Sequence, residues 1–396
     1  MLTSDFDYNL PKQLIAQIPL EPRDSSRLMV LDKKKKEIEH KHFFDIVDFF
    51  KKGDLLVWNN TKVFKARLRG TLVLDKETDG LDSRIKTSGK ILNVLPVEIF
   101  LVKPMENNKV WKVLAKPGKK LRLGMKIVFA DDFSAEVMLK ENDGTFLLQF
   151  AEDDMSVRVK ANKYGEVPTP PYIVNEEVRM KNEELSKRYQ TVYAKEEGSV
   201  AAPTAGFHFT PDLIEKLKAK GVEFAEVTLH VGLGTFLPAK TERLEDHHMH
   251  SEWVELTSKN ADLINQAKAE GRRVVAVGTT TVRTLEGIAL LFNCHSEQGE
   301  ESLSQSTNGQ RSFTSVQDDN IAELWPYSGD INIFNFPGFK FRVVDALITN
   351  FHLPKSTLLM LVCAFAGDRE FVLRCYDKAV DEKYRFFSFG DAMLIK

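Results

Sequence analysis

Five short stretches of this sequence gather ionisable, hydroxyl and small residues at the ends of regular elements. Residues 246–252 (DHHMHSE) hold three histidines and two acids. Imidazole and a partly buried carboxyl can both be tuned near neutral pH, so His250 and Glu252 are candidates for general acid–base work. The histidines at 247, 248 and 250 lack the i, i+4 spacing of a helical zinc pair and no cysteine lies nearby, so no metal is expected. A polar surface strand is the plain alternative. Residues 201–210 (AAPTAGFHFT) precede a helix start. Thr204 offers a hydroxyl there, Gly206 permits close backbone approach, and the free N–H groups of the helix N-terminus suit an anion. His208 either binds and titrates at this turn or packs between two phenylalanines. Residues 228–238 (TLHVGLGTFLP) place His230, Gly232 and Gly234 at a strand end, where they could line a nucleoside pocket. Position 237 is Leu, so the third glycine of a dinucleotide fingerprint is missing. A turn needing positive φ competes.

Residues 277–286 (VGTTTVRTLE) run from a strand through Gly278 into a helix whose first turn holds Thr279, Thr280 and Thr281. That suits hydroxyl and backbone contacts to a polar ligand at a strand's carboxyl end. Arg283 and Glu286 stand three apart, so a simple surface ion pair would also account for them. In residues 349–357 (TNFHLPKST), Asn350 and His352 follow a buried strand, and Ser356 can cap the next helix.

The elements that must position these turns read as two kinds of structure. From residue 200 onward helix and strand alternate. Thr210 and Pro211 open a helix that Gly221 closes. Residues 222–231 follow as a strand, and Ser258 can cap a helix that stops at Gly271. Residues 272–278 then form a buried strand, 279–291 a helix and 343–349 a strand, with helices over 358–366 and 369–382. This alternation predicts an α/β layer architecture. Residues 61–154 instead hold about six short runs rich in Val, Ile and Phe (64–74, 93–102, 109–115, 125–130, 134–139 and 145–150). Asn142-Asp143-Gly144 is a hairpin signal between two of them. A small barrel or sandwich is expected there, inserted into an α/β domain made of residues 1–60 and 155–396. The polar stretches 75–90 and 295–320 read as surface insertions.

Composition narrows the class. Hydrophobic residues make up 43% and charged residues 28% of 396 residues, enough to bury a sizeable core and remain soluble. The longest clearly apolar run, residues 358–366, is far short of the roughly 20 residues a membrane span needs, and the N-terminus lacks the basic start and apolar stretch of a signal peptide. Three cysteines without a C-x-x-C pair fit a reduced, cytoplasmic setting. A net charge of -2 hides an uneven distribution. Eight bases and one acid lie between 103 and 126, and eight acids and one base between 131 and 154. The basic run could hold phosphates, or be a solvated face balanced by its acidic neighbour.

Taken together the motifs resemble the S-adenosylmethionine:tRNA ribosyltransferase-isomerase family of queuosine synthesis. The stretches that carry the resemblance are DFDYNLPKQLIAQIPLEPRDSSRLMVLD (5–32), DLLVWNNTKVFKARLRG (54–70), VPTPPYI (167–173), RYQTVYAKEEGSVAAPTAGFHFT (188–210), TLHVGLGTF (228–236), HHMHSEW (247–253), VVAVGTTTVRTLE (274–286), VDALITNFHLPKSTLLMLVCAFAG (344–367) and YRFFSFGDAML (384–394). They cover nearly the whole chain in order. The departures are 75–90, 295–320 and a looser match over 325–339.

The resemblance implies an α-β-α sandwich with an inserted, six-stranded barrel-like domain. It implies ribosyl transfer from S-adenosylmethionine, a substrate rather than a cofactor, onto 7-aminomethyl-7-deazaguanine in the anticodon loop of tRNA. Adenine and methionine would leave, and no metal is implied. Proton transfer falls to His250 and Glu252 with His208. The donor falls to Thr204, Gly206, His230, Gly232, Gly234, Gly278, Thr279, Thr280, Arg283, Asn350 and His352. A tRNA partner gives the basic run a purpose: Lys116, Lys119, Lys120 and Arg122, with Arg67 and Arg69, are the candidate phosphate contacts. A monomer is expected. The competing classes are another S-adenosylmethionine-dependent tRNA enzyme, such as a methyltransferase, and a non-catalytic RNA-binding protein.

Overall fold

Four apolar strands, Glu223–Leu229, Leu55–Asn59, Val274–Val277 and Ala346–Asn350, lie side by side in parallel at the middle of a nine-stranded sheet. The computed structural model describes residues 1–74, 84–87, 90–168, 172–173, 187–232, 241–247, 249, 251–293 and 323–396. Beyond Glu223–Leu229 the sheet continues with Glu252–Leu256 and Tyr327–Ile331, both antiparallel. Beyond Ala346–Asn350 it continues with Ala392–Ile395, Arg27–Asp32 and Glu37–His42.

The strands' two-residue period divides the core. Leu55, Val57, Val274 and Ala276 face one apolar cluster, whereas Leu56, Trp58, Val275 and Val277 face the other. Helices Ser258–Ala269, Thr279–Asn293, Thr357–Ala366 and Arg369–Asp381 cover the first face. Helix Pro211–Ala219 and the 3-10 segment Phe43–Phe49 cover the second. This is the α/β layering that the alternation predicts, in the α-β-α sandwich form that the resemblance implies.

Local chemistry explains the helix starts. The Thr210 hydroxyl accepts from Leu213 N–H at 3.2 Å, with Pro211 at the first helical position, and Ser356 does the same for Leu359. One start differs from the sequence reading: Ser258 is the first helical residue and Thr257 is the cap.

The second body is a closed ring of six strands. Arg67–Leu74 pairs with both Lys90–Pro104 and Lys126–Ala130, and Phe133–Lys140, Phe146–Phe150 and Val110–Lys116 complete the ring. Closure leaves no open edge within the ring. Arg84–Thr87 adds a short outer strand against Lys90–Pro104. The six predicted runs are these six strands. Trp111, Leu68, Leu72, Ile99 and Phe133 fill the interior, and helix Asp154–Tyr164 plugs it with Val157 and Ala161. Thr61–Val63 stands outside the ring and pairs with Glu196–Ser199. Among the described residues no helix is long and apolar enough to cross a membrane.

Candidate active site

A cleft with a volume of about 130 Å³ opens beside the carboxyl ends of the central parallel strands, where ligands of open α/β sheets bind. Gly278 ends the Val274–Val277 strand at φ +86, a conformation that favours glycine, and its N–H donates to Ile348 O at 2.7 Å. That turn brings Thr279 and Thr280 to the cleft wall. Asn350 and His352 arrive from the next strand and Thr204 from the 3-10 turn Thr204–His208. Six of the residues singled out from sequence therefore line one cavity: Thr204, Gly278, Thr279, Thr280, Asn350 and His352.

Helix Thr279–Asn293 is buried nearly all round, so its polar side chains must find internal partners. Thr281 and Thr284 donate to Val277 O and Thr280 O at 2.7 and 3.0 Å. Glu286 accepts from the backbone N–H groups of Arg342, Val343 and Val344 at 2.9–3.0 Å, and burial raises its pKa. Arg283 and Glu286 thus do not form a surface ion pair. Arg283 Nη1 instead meets Glu252 Oε2 at 2.5 Å, with both side chains 5% exposed. The other Glu252 oxygen accepts from Gly232 N–H at 3.2 Å. Gly232 follows Val231, which lines the cleft, so the ion pair stands directly behind the cleft wall.

Three histidines are held neutral by burial. His208 bonds Ser26 Oγ through Nδ1 at 2.7 Å and stacks on Phe43. Burial pushes its pKa down to about 3, and an interaction with the Asn350 side chain opposes that shift in part. His352 places Nε2 2.9 Å from Thr349 Oγ1, and burial lowers it to about 3. His230 bonds Thr61 Oγ1 at 2.8 Å and stacks on Trp253, away from the cleft lining. Burial, then the charge of Arg158, lowers it to about 4. Near neutral pH each of the three is an uncharged hydrogen-bonding group rather than a cation.

A family model described as queuosine biosynthesis protein matches residues 3–395. The chain belongs to this family. It is 48% identical over 396 residues, all of both chains, to the S-adenosylmethionine:tRNA ribosyltransferase-isomerase of Thermotoga petrophila. It is 46% identical over 395 residues, again spanning both chains, to the protein of that name from a Sulfurihydrogenibium strain. The crystal structure of the S-adenosylmethionine tRNA ribosyltransferase of Thermotoga maritima matches with a TM-score of 0.50 and 37% identity, over 99% of this chain and 100% of that one.

The cleft of this queuosine-biosynthesis family member includes residues that the local reading passed over. Tyr172, Phe387 and Ser388 form one wall, with the Tyr172 hydroxyl hydrogen-bonded to Ser388 Oγ and the Tyr172 ring edge-on to Phe387. Phe387 sits at φ +75, held by bonds from Asn350 Nδ2 to its carbonyl and from its own N–H to Phe351 O. Nothing in a Phe-Ser-Phe-Gly run announces such a conformation. Gly206 serves packing: a Cβ there would meet the Tyr193 hydroxyl at 2.0 Å. His250 and Gly234 lie outside the described residues. Among the described residues no group of three His, Cys, Asp or Glu is placed to hold a metal.

On the barrel, Lys116, Lys119, Lys120 and Arg122 are exposed around the turn Gly118–Lys120. None of the four pairs with a carboxylate among the described residues. Arg69 is different: its Nε and Nη2 grip Glu166 at 2.7 and 3.1 Å. Arg67 lies 4.0 Å from Glu98. Lys112 is likewise taken by Glu141 and Asp143 from the acidic stretch.

Proposed function

We propose that this protein transfers the ribosyl part of S-adenosylmethionine to the aminomethyl nitrogen of 7-aminomethyl-7-deazaguanine at the wobble position of tRNA. It then isomerises that group to the epoxycyclopentane of epoxyqueuosine. The observation that carries the reading is full-length similarity to relatives named for this activity, on a chain whose cleft is backed by a buried carboxylate.

The chemistry asks for groups of the kinds found here. The amine attacks the ribosyl C1′ and must lose a proton. Adenine leaves more readily when protonated. The positive sulfur acidifies the hydrogens on the neighbouring carbon, so a second proton can be removed before methionine departs. We assign proton transfer to Glu252 and His250. His208 and His352 are neutral near pH 7, so they orient through hydrogen bonds and do not deliver a proton. Thr204, Gly278, Thr279, Thr280, Asn350 and His352 hold the nucleoside part of the donor. His230, Gly232 and Gly206 support the turns around it. S-adenosylmethionine enters as a substrate, and the reading calls for no resident cofactor or metal. The tRNA meets the barrel at Lys116, Lys119, Lys120 and Arg122, through charges that pair with no carboxylate among the described residues. The protein acts as a cytoplasmic monomer.

One incubation tests the activity. The protein is mixed with S-adenosylmethionine and tRNA bearing the aminomethyl base, and the small products are identified by mass spectrometry. Adenine and methionine are expected. S-adenosylhomocysteine would mean methyl transfer, and intact donor with bound tRNA would mean a binding protein; either result overturns the reading.

A further inference from the structure

Arg283 uses only part of its guanidinium within the fold. Nη1 is committed to Glu252, whereas Nε and Nη2 are buried and have no hydrogen-bond partner among the described residues. Those two N–H groups project from the same edge of the planar group, the edge that takes a carboxylate through two parallel bonds. Leaving such donors empty in a dry site is unfavourable, because nothing replaces the water they gave up. The contrast within one helix is sharp. Thr281, Thr284 and Glu286 are satisfied by the fold. The unmatched groups are Thr280 Oγ1 and the Arg283 edge. Thr279 and Thr280 line the cleft, and Arg283 follows them by four and three residues, one turn further along the same helix face.

We infer that the Nε–Nη2 edge of Arg283 binds the α-carboxylate of S-adenosylmethionine. This rests on the reading of that molecule as the donor. The adenosine part occupies the cleft beside Thr280, and the methionyl chain runs one helical turn (~5.4 Å) along the helix to Arg283. Glu252 holds the guanidinium in place through Nη1, so the carboxylate clamp and the proton-transfer group share one ion pair. A misplaced clamp would then disturb both binding and chemistry.

The test compares S-adenosylmethionine with its decarboxylated analogue by calorimetric titration of the intact protein, alone and with tRNA that lacks the acceptor amine. The wild type is expected to bind the analogue ten- to hundredfold more weakly. The variant Arg283→Lys keeps a cation beside Glu252 and loses the fork. It is expected to bind both donors with similar, weakened affinity and to bind tRNA as the wild type does. Equal binding of the two donors by the wild type overturns the proposal, and that measurement does not depend on the variant folding. Retained discrimination in Arg283→Lys, or a loss of tRNA affinity in its place, also overturns it, the latter pointing to an RNA phosphate at this edge. The product assay separates this outcome from failure of the activity itself: adenine release by a wild type that does not discriminate would sink the clamp and leave the ribosyl transfer standing.

Discussion

Glu252 and Arg283 come together from a sheet strand and a helix, 2.5 Å apart and almost wholly buried. A pair this dry is held by mutual need. Removing one partner leaves a charge without compensation, at a cost of about 3–5 kcal/mol, whereas removing both costs less than the sum. Urea denaturation of Glu252→Gln, Arg283→Met and the double variant is expected to show strong coupling. Additive effects would mean that the two side chains are not a unit.

Activity gives Glu252 a separate reading. If it takes a proton during ribosyl transfer, Glu252→Gln lowers kcat for adenine release by roughly 10²- to 10⁴-fold. The wild-type rate in a folded Glu252→Gln protein would remove Glu252 from proton transfer.

Thr280 presents a cleft-lining hydroxyl with no partner among the described residues, whereas Thr281 bonds Val277 O at 2.7 Å. Their valine variants should therefore part in opposite directions. Thr280→Val is expected to leave stability unchanged or slightly raised and to raise KM for S-adenosylmethionine by roughly two- to tenfold. Thr281→Val is expected to destabilise by about 1 kcal/mol with KM little changed. Steady-state kinetics and melting curves on the two proteins check the contrast.

The buried histidines set an acid limit. His208 and His352 titrate at about 3 in the folded protein and His230 at about 4, against an ordinary value of 6.5. The unfolded chain thus binds more protons than the folded one below pH 6.5, and stability rises with pH through that window. It is fully present above about 6.5 and falls as pH drops towards 3. Between pH 7 and pH 5 each fully buried histidine contributes a loss of about 2 kcal/mol. Urea midpoints at pH 7 and 5 should show the fall, and a His208→Gln variant that folds should show a shallower one. An unchanged slope would mean that His208 is not held neutral.

Charge on the barrel predicts salt dependence. Replacing Lys116, Lys119 and Lys120 by Gln should weaken tRNA binding and reduce the slope of log affinity against log salt by roughly 2–3. Arg69→Gln should change that slope less, because Arg69 is already engaged by Glu166. Filter binding across a salt series distinguishes the two.

What this sequence determined by itself is local. Thr210-Pro211 and Ser356 mark helix starts because a hydroxyl cap needs only the next three residues. The six Val-, Ile- and Phe-rich runs separated by turn residues mark the barrel strands, and the glycine and threonines at 278–280 mark a strand-to-helix turn able to face a ligand. The family motifs were legible for the same reason, since each is a short continuous stretch. The tertiary structure decided which of these pieces meet. Arg283 has Glu286 three residues away, yet pairs with Glu252, because its helix is buried on every side and Glu286 turns to the 342–344 backbone. Phe387 enters the cleft wall only because Asn350 and Phe351, from a distant strand end, hold its backbone at positive φ. Arg69 and Lys116 look alike as basic residues of one module, and only the position of Glu166 separates a saturated cation from one that no carboxylate among the described residues engages. Partner choice in a dry interior depends on which groups the strand order brings within hydrogen-bond reach, and sequence spacing carries no record of that.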